Sequence, residues 1–230
     1  MIPEQKESVL IVAGGKGVRA GGEVPKQFRL IAGRPVLMHA IEAFYRYNPE
    51  ICIVVVLPEG FEAHWKKLCQ KHSCTLPHRW VTGGETRFHS VQNGLQVIPA
   101  EGIVAIHDAA RPLVTPTLIG RCFESCILHQ CGVIPVIRES NSVRQLTEEG
   151  SRILSRELLR VVQTPQVFPS RALKQAYETS YDSAFTDDAS VAEKKGIPVW
   201  LEEGEESNIK ITTTFDFLVA EQYLLQLAKR

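Results

Sequence analysis

Four short apolar runs constrain this chain more than any other feature: V-L-I-V-A at 9–13, I-C-I-V-V-V-L at 51–57, I-V-A-I at 103–106 and G-V-I-P-V-I at 132–137. None alternates with polar residues, so none has a face to give to water. Such runs suit strands covered on both sides, as in a parallel sheet between helical layers. The intervening segments have helical spacing. In 36–47, Leu37, Ile41 and Phe44 align on one face, and 61–71, 90–97 and 117–129 read as further helices. A short strand at 79–81 ends at Gly83-Gly84. Strands alternating with helices predict an open, mostly parallel α/β sheet.

The alternation fails at about 137–159. Two segments flank the turn Thr147-Glu148-Glu149-Gly150 and predict a β-hairpin, a projecting β-arm. A polar hairpin of this kind is either a dimerising arm or a solvated excursion, and the residues alone leave both open. Beyond it, 161–168, 199–202 and 208–211 read as strands, and 171–179, 187–195 and 215–228 as helices. The expectation is one Rossmann-like α/β domain over residues 1–230, with the arm inside it.

Lys+Arg and Asp+Glu both number 26, giving a formal net charge of +0. Binding along a nucleic-acid backbone needs a basic excess, so nucleic acid is excluded as the main partner. No apolar run approaches the ~20 residues that cross a bilayer. The start, M-I-P-E-Q-K-E-S, does not read as a signal peptide, which points to the cytoplasm. The six cysteines include no C-x-x-C pair, and Cys122 and Cys126 lack a matching His/Cys pair for zinc. They read as reduced thiols packed as small apolar groups.

The first apolar run feeds a glycine-rich stretch in which Gly15-Lys16-Gly17-Val18-Arg19-Ala20 fits the dinucleotide fingerprint G-x-G-x-x-G/A. That fingerprint must open directly into a helix. Here Gly21, Gly22 and Pro25 follow, and they oppose one. A P-loop fails as well, because Gly17 stands where Ser or Thr is needed. What remains is a loop whose amides can face a phosphate chain, with Arg19 and Lys26 able to wrap it, or else a tight turn with two solvated cations.

His107-Asp108-Ala109-Ala110-Arg111-Pro112 follows a buried strand, where open α/β sheets bind ligands. Asp108 can hold Mg²⁺ against phosphates, Ala109 and Ala110 leave room for a nucleotide, and Arg111 offers a donor fork. The alternative is Asp108 capping the next segment with Arg111 paired to it. Gly84, Glu85 and Ser90 lie where a strand meets a helix and can read a base edge or ribose, or form an ordinary capped helix start.

In order, L-I-V-A-G-G-K-G-V-R with P-K-Q, then H-D-A-A-R-P, T-P-Q, T-D-D-A and N-I-K-I-T, resemble the 2-C-methyl-D-erythritol 4-phosphate cytidylyltransferases of the non-mevalonate isoprenoid pathway. The resemblance implies a reaction of CTP with methylerythritol phosphate that releases pyrophosphate, with Mg²⁺, in a homodimer. It implies Ala13, Gly14, Gly15, Gly17 and Ala109 against the nucleotide, and Gly84, Glu85 and Ser90 at cytosine and ribose. Arg19 and Lys26 would stabilise charge on the α-phosphate, and Asp108 would hold the metal. Asp108, Arg111, Ser140, Thr164 and Thr186 would border the methylerythritol phosphate, which Arg156 and Lys210 would position. Arg156 and Thr164 are expected from the neighbouring subunit's arm.

This chain has Ala13-Gly14-Gly15 where the family shows A-A-G, Ala20 where it shows Met, and Glu85 where it shows Asp. In the arm, Glu139-Ser140-Asn141-Ser142 replaces D-T-x-K. The altered arm keeps another polyol phosphate, such as ribitol 5-phosphate, as a rival substrate. A nucleotide-binding regulator without catalysis is the rival from another class.

Overall fold

The computed structural model describes residues 6–14 and 25–229. Its centre is an eight-stranded sheet. Strands β1 (Glu7–Val12), β4 (Cys52–Leu57), β5 (Arg79–Thr82) and β6 (Ile103–Asp108) run parallel, with β1 between β4 and β6. Beyond β6 lie β11 (Gln166–Pro169), β7 (Gly132–Arg138), β10 (Arg160–Val162) and β12 (Val199–Glu203). The last is parallel to β7, whereas β10 and β11 are antiparallel to it. A small ribbon, β2 (Leu30–Ile31) with β3 (Arg34–Pro35), precedes helix α1.

The apolar runs fill both faces, as their composition requires. In β1, Val9 and Ile11 face a core built with α1 (Val36–Tyr47), α2 (Glu62–Lys71) and α4 (Pro116–His129). Leu10 faces the opposite core, against α3 (Arg87–Leu95), α5 (Ser170–Ala176) and α6 (Asp188–Lys194). A third, smaller cluster joins α7 (Thr214–Leu227) to the β2–β3 ribbon. Val54, Val55, Val56 and Leu57 are fully buried; each such side chain contributes about 1.5–3 kcal/mol of transfer free energy.

Three expectations are corrected. The strand expected at 161–168 is two strands, β10 and β11, whose register against β7 slips by two residues between Val162↔Val136 and Val167↔Val133. Pro165 in the break has no N–H to give a ladder, and Thr164 turns inward instead. The segment 208–211 is no strand. Its groups are taken by other partners: Asn208 O accepts from Arg111, Ile211 O accepts from Lys26, and Ile211 N donates to Ala110 O. Helix α3 starts at Arg87 rather than Ser90, because the Thr86 side chain caps it by accepting from His89 N.

The hairpin forms as expected: β8 (Val143–Thr147) pairs with β9 (Gly150–Leu154) in a two-stranded sheet of its own. Leu146 and Ile153 on it are 84% and 71% exposed, as is Leu158 beyond it at 84%. These apolar side chains are poor candidates for a merely solvated loop.

Gly102 sets the start of β6 beside β1. Its φ is +95°, and a Cβ there would sit 2.0 Å from the Lys6 carbonyl oxygen that accepts from Ile103 N. Gly102→Ala is expected to lower unfolding free energy by about 2 kcal/mol or more. Urea denaturation measures this, and an unchanged midpoint would contradict the packing described.

Candidate active site

The site begins where the parallel strands end. Ala13 continues β1, donating to Val56 O and accepting from the Gln27 side chain at 2.6 Å. Next to it, Gly14 and Gly83 both press on Ser90. A Cβ would lie 2.7 Å from Ser90 Oγ at Gly14 and 2.9 Å at Gly83. Ser90 Oγ in turn accepts from Gly84 N at 3.1 Å. The glycines thus close on the Ser90 side chain, on the first turn of α3, and together they form the corner that is the Ser90 notch. Ala109, 1% exposed, closes the next position, donating to Val12 O. Glu85 is exposed at the rim.

Beyond β6, Asp108 is the centre of a charged cluster. Lys210 Nζ is 2.8 Å from Oδ2 and Arg111 Nε is 3.8 Å from the same oxygen, whereas Arg87 Nε reaches Oδ1 at 3.3 Å. Burial alone would raise the Asp108 pKa. The Arg87, Lys210 and Arg111 cations outweigh it and hold the carboxyl well below the usual carboxylate range. Arg111 also donates to Asn208 O and Val162 O, so its guanidinium is fixed from three sides.

A hydrogen-bond chain supports this cluster from behind. His107, fully buried, places Nε2 3.1 Å from Arg111 O and Nδ1 3.0 Å from Thr164 Oγ1. A carbonyl can only accept, so Nε2 carries the proton and Nδ1 accepts from the Thr164 hydroxyl. Thr164 Oγ1 accepts from Asp108 N at 3.1 Å. The Asn208 side chain, also buried, donates to Thr164 O.

Thr164 therefore sits within its own chain's cluster, 4% exposed, and not on the arm; its hydroxyl is drawn inward by Asp108 N and His107. Asp108, Arg111, Thr164 and Lys210 come together as a group. Lys26 joins them through the 208–211 segment, its Nζ donating to Ile211 O at 2.6 Å while the neighbouring Lys210 pairs with Asp108. Thr186 is exposed just ahead of the Asp187 cap of α6. Ser140 and Arg156 meet one another at the arm, Arg156 Nη1 donating to Ser140 O at 3.0 Å. Among the described residues, no hydrogen bond or ion pair links those two to the Asp108 cluster. Gly15, Gly17 and Arg19 lie outside the described residues.

Two contributors carried no assignment in the sequence. Arg87 lies in the G-G-E-T-R-F-H-S string, but its partner Asp188 is 101 residues away, and nothing local couples them. His107 stands in the H-D-A-A-R-P string but was given no role there. Its signal was its place at the end of an apolar run, where a polar side chain must find buried partners.

Among the described residues none is poised as a nucleophile. All six cysteines are free, and burial pushes the Cys69, Cys122 and Cys126 thiols up to about 12. A metal ion finds only part of its shell: among the described residues no three His, Cys, Asp or Glu side chains cluster. One carboxylate suits Mg²⁺ that takes its other oxygens from phosphates and water, not an all-protein cage.

Burial holds the His107 imidazole down at about 4, against an ordinary 6.5. The unfolded chain takes up this proton as pH falls below about 6.5, and the folded chain does so only near 4. Stability is thus full above the window and lost through it, by about 3 kcal/mol. Urea midpoints from pH 7 to 4 are expected to fall in this way. His107→Gln should flatten that part of the slope, and an unaltered slope would contradict the assignment.

The geometry has relatives. A protein named 2-C-methyl-D-erythritol 4-phosphate cytidylyltransferase from Bacteroides thetaiotaomicron is 49% identical over 219 residues, 95% of this chain and 100% of that protein. One of the same name from Porphyromonas gingivalis W83 is 45% identical over 96% of this chain and 99% of its own length. Among solved structures, 4-diphosphocytidyl-2C-methyl-D-erythritol synthase from Anaerococcus prevotii aligns with a TM-score of 0.80 at 27% identity, covering 96% of each chain. The Thermus thermophilus 2-C-methyl-D-erythritol 4-phosphate cytidylyltransferase aligns at 0.74 and 28%, covering 96% of this chain and 98% of its own. The family model of 2-C-methyl-D-erythritol 4-phosphate cytidylyltransferase matches residues 8–226, and with the sheet and site described above the chain belongs to that family.

Proposed function

We propose that the Asp108 cluster and the Ser90 notch together carry out the cytidylyl transfer for which the family is named, moving CMP from CTP to 2-C-methyl-D-erythritol 4-phosphate. A phosphate oxygen of the second substrate forms a bond to the α-phosphorus of CTP. The bond from that phosphorus to the bridging oxygen of the β-phosphate breaks, and pyrophosphate leaves. The incoming oxygen is already anionic at neutral pH, so no general base is needed. What the reaction needs is alignment and neutralisation of a crowded, highly negative transition state.

The observation that carries this reading is that Lys26 bonds Ile211 O while the adjacent residue, Lys210, pairs with Asp108 at the end of β6. In this reading the notch of Gly14, Gly84 and Ser90 admits the nucleoside, with Glu85 at its rim and Ala13, Ala109, Gly15 and Gly17 along the phosphates. Lys26 and Arg19 neutralise the α-phosphate. Lys210 and Arg111 orient the second phosphate with Thr186. Asp108 holds Mg²⁺, which when bound supplies further charge neutralisation on the triphosphate. The whole chain works as a single domain, and its free thiols suit the reducing cytoplasm.

The arm extends the proposal to a homodimer. Leu146, Ile153 and Leu158 are exposed apolar groups on it, and Ser140 and Arg156 are held together there. A second copy would cover the first set and receive the second in its own site.

Purified protein with CTP and Mg²⁺ is expected to release pyrophosphate with methylerythritol phosphate in preference to ribitol 5-phosphate. The reverse preference, or CTP binding without turnover, would overturn the reading. Lys26→Ala should lower kcat about a hundredfold, roughly 3 kcal/mol, while CTP affinity changes little. An equal loss in both would show that the lysine holds only the ground state. Mixing inactive Arg156→Ala and Lys26→Ala subunits should restore about a quarter of wild-type turnover if each site takes Arg156 from its partner. No recovery would remove Arg156 from a shared site.

A further inference from the structure

Asp188 is a fully buried carboxylate that the proposed transfer does not use. It is the first residue of α6, yet the amides there do not serve its side chain. Asp188 N and Ala189 N both donate to Gln166 Oε1, at 3.0 and 2.9 Å. The carboxylate is met instead by Arg87, end-on and bidentate, with Nη1 3.0 Å from Oδ1 and Nη2 2.6 Å from Oδ2, and by the Tyr177 hydroxyl at 2.7 Å. A bidentate pair with a fully buried carboxylate fixes a guanidinium in plane and direction.

The consequence falls on Asp108. With the end-on face of its fork turned to Asp188, Arg87 meets Asp108 through Nε, and that bond is long, 3.3 Å to Oδ1. Lys210 and Arg111 stand at the other oxygen, Oδ2. Of the two oxygens, Oδ1 is therefore oriented but lightly held. Freed from Asp188, Arg87 would find Asp108 the nearest anion and could close on it with two nitrogens. Arg87 also opens α3, so one side chain ties the Asp108 carboxylate to the start of α6 beside Thr186.

We infer that Asp188 is a positioning residue: it holds the Arg87 fork so that Asp108 keeps Oδ1 available to the methylerythritol phosphate that Asp108 is proposed to border. The inference rests on the proposed role of Asp108, but part of its test does not depend on activity.

In a crystal structure of Asp188→Asn, Arg87 is expected to bring a second nitrogen within about 3.5 Å of Asp108. An Arg87 that stays in place would overturn the inference, whatever the substrate proves to be. In kinetics, scaled to the wild type, Asp188→Asn should lower kcat/KM for methylerythritol phosphate about tenfold or more. The CTP KM should stay within about twofold, because the notch is held by Ser90 and the Thr86 cap. Asp188→Glu, which keeps the anion, should recover most of the loss. Arg87→Lys keeps the charge without the fork and covers the case in which Asp188→Asn does not fold. It should show the same split, and the double variant should be no worse than the worse single one. Equal losses for both substrates, no rescue by glutamate or multiplying effects would each reduce Asp188 to a structural ion pair.

Discussion

One carboxylate at the end of a parallel strand organises this molecule. Asp108 is only 8% exposed, and a buried charge of that kind is stable only if cations and donors surround it. They come from three places: Arg87 from the start of α3, Arg111 from the turn after β6, and Lys210 from the strap after β12. Meeting that demand draws distant parts of the chain to one end of the sheet. With Asp188 paired to Arg87, three cations stand against two carboxylates, an excess of positive charge that favours phosphates.

The cluster is rigid because its backbone is held from beneath. The chain from Asp108 N through Thr164 and His107 to Arg111 O uses every polar atom of a fully buried imidazole. Asn208 locks the break at Gln163–Pro165 to the strap that carries Lys210. A phosphate-transfer site benefits from such preorganisation, since donors already in place do not reorganise as charge develops.

The layered sheet was legible in the sequence because unbroken apolar runs admit few other environments. The helix 36–47 was legible for the same reason, its apolar residues falling on one face. The interruptions were less visible. Residues 161–168 look like one strand until the Thr164 side chain is seen to be needed behind Asp108. Residues 208–211 look like a strand until their carbonyls are seen to serve Arg111 and Lys26. In both places a long-range polar contact overrides a local pattern. The motifs of the site were readable, but the roles of Arg87 and His107 were not, because each acts only through partners brought close by the fold.

The absence of a poised nucleophile among the described residues is as informative as the cations. Burial holds the Cys69, Cys122 and Cys126 thiols protonated at neutral pH, and His107 has both nitrogens engaged. The central claim is then a single direct displacement, with the protein aligning one phosphate against another. Its most direct test uses CTP made stereogenic at the α-phosphorus by sulfur substitution and determines the configuration of the product. Inversion at phosphorus is expected. Retention would require two displacements through a nucleotidyl–enzyme bond and would contradict it.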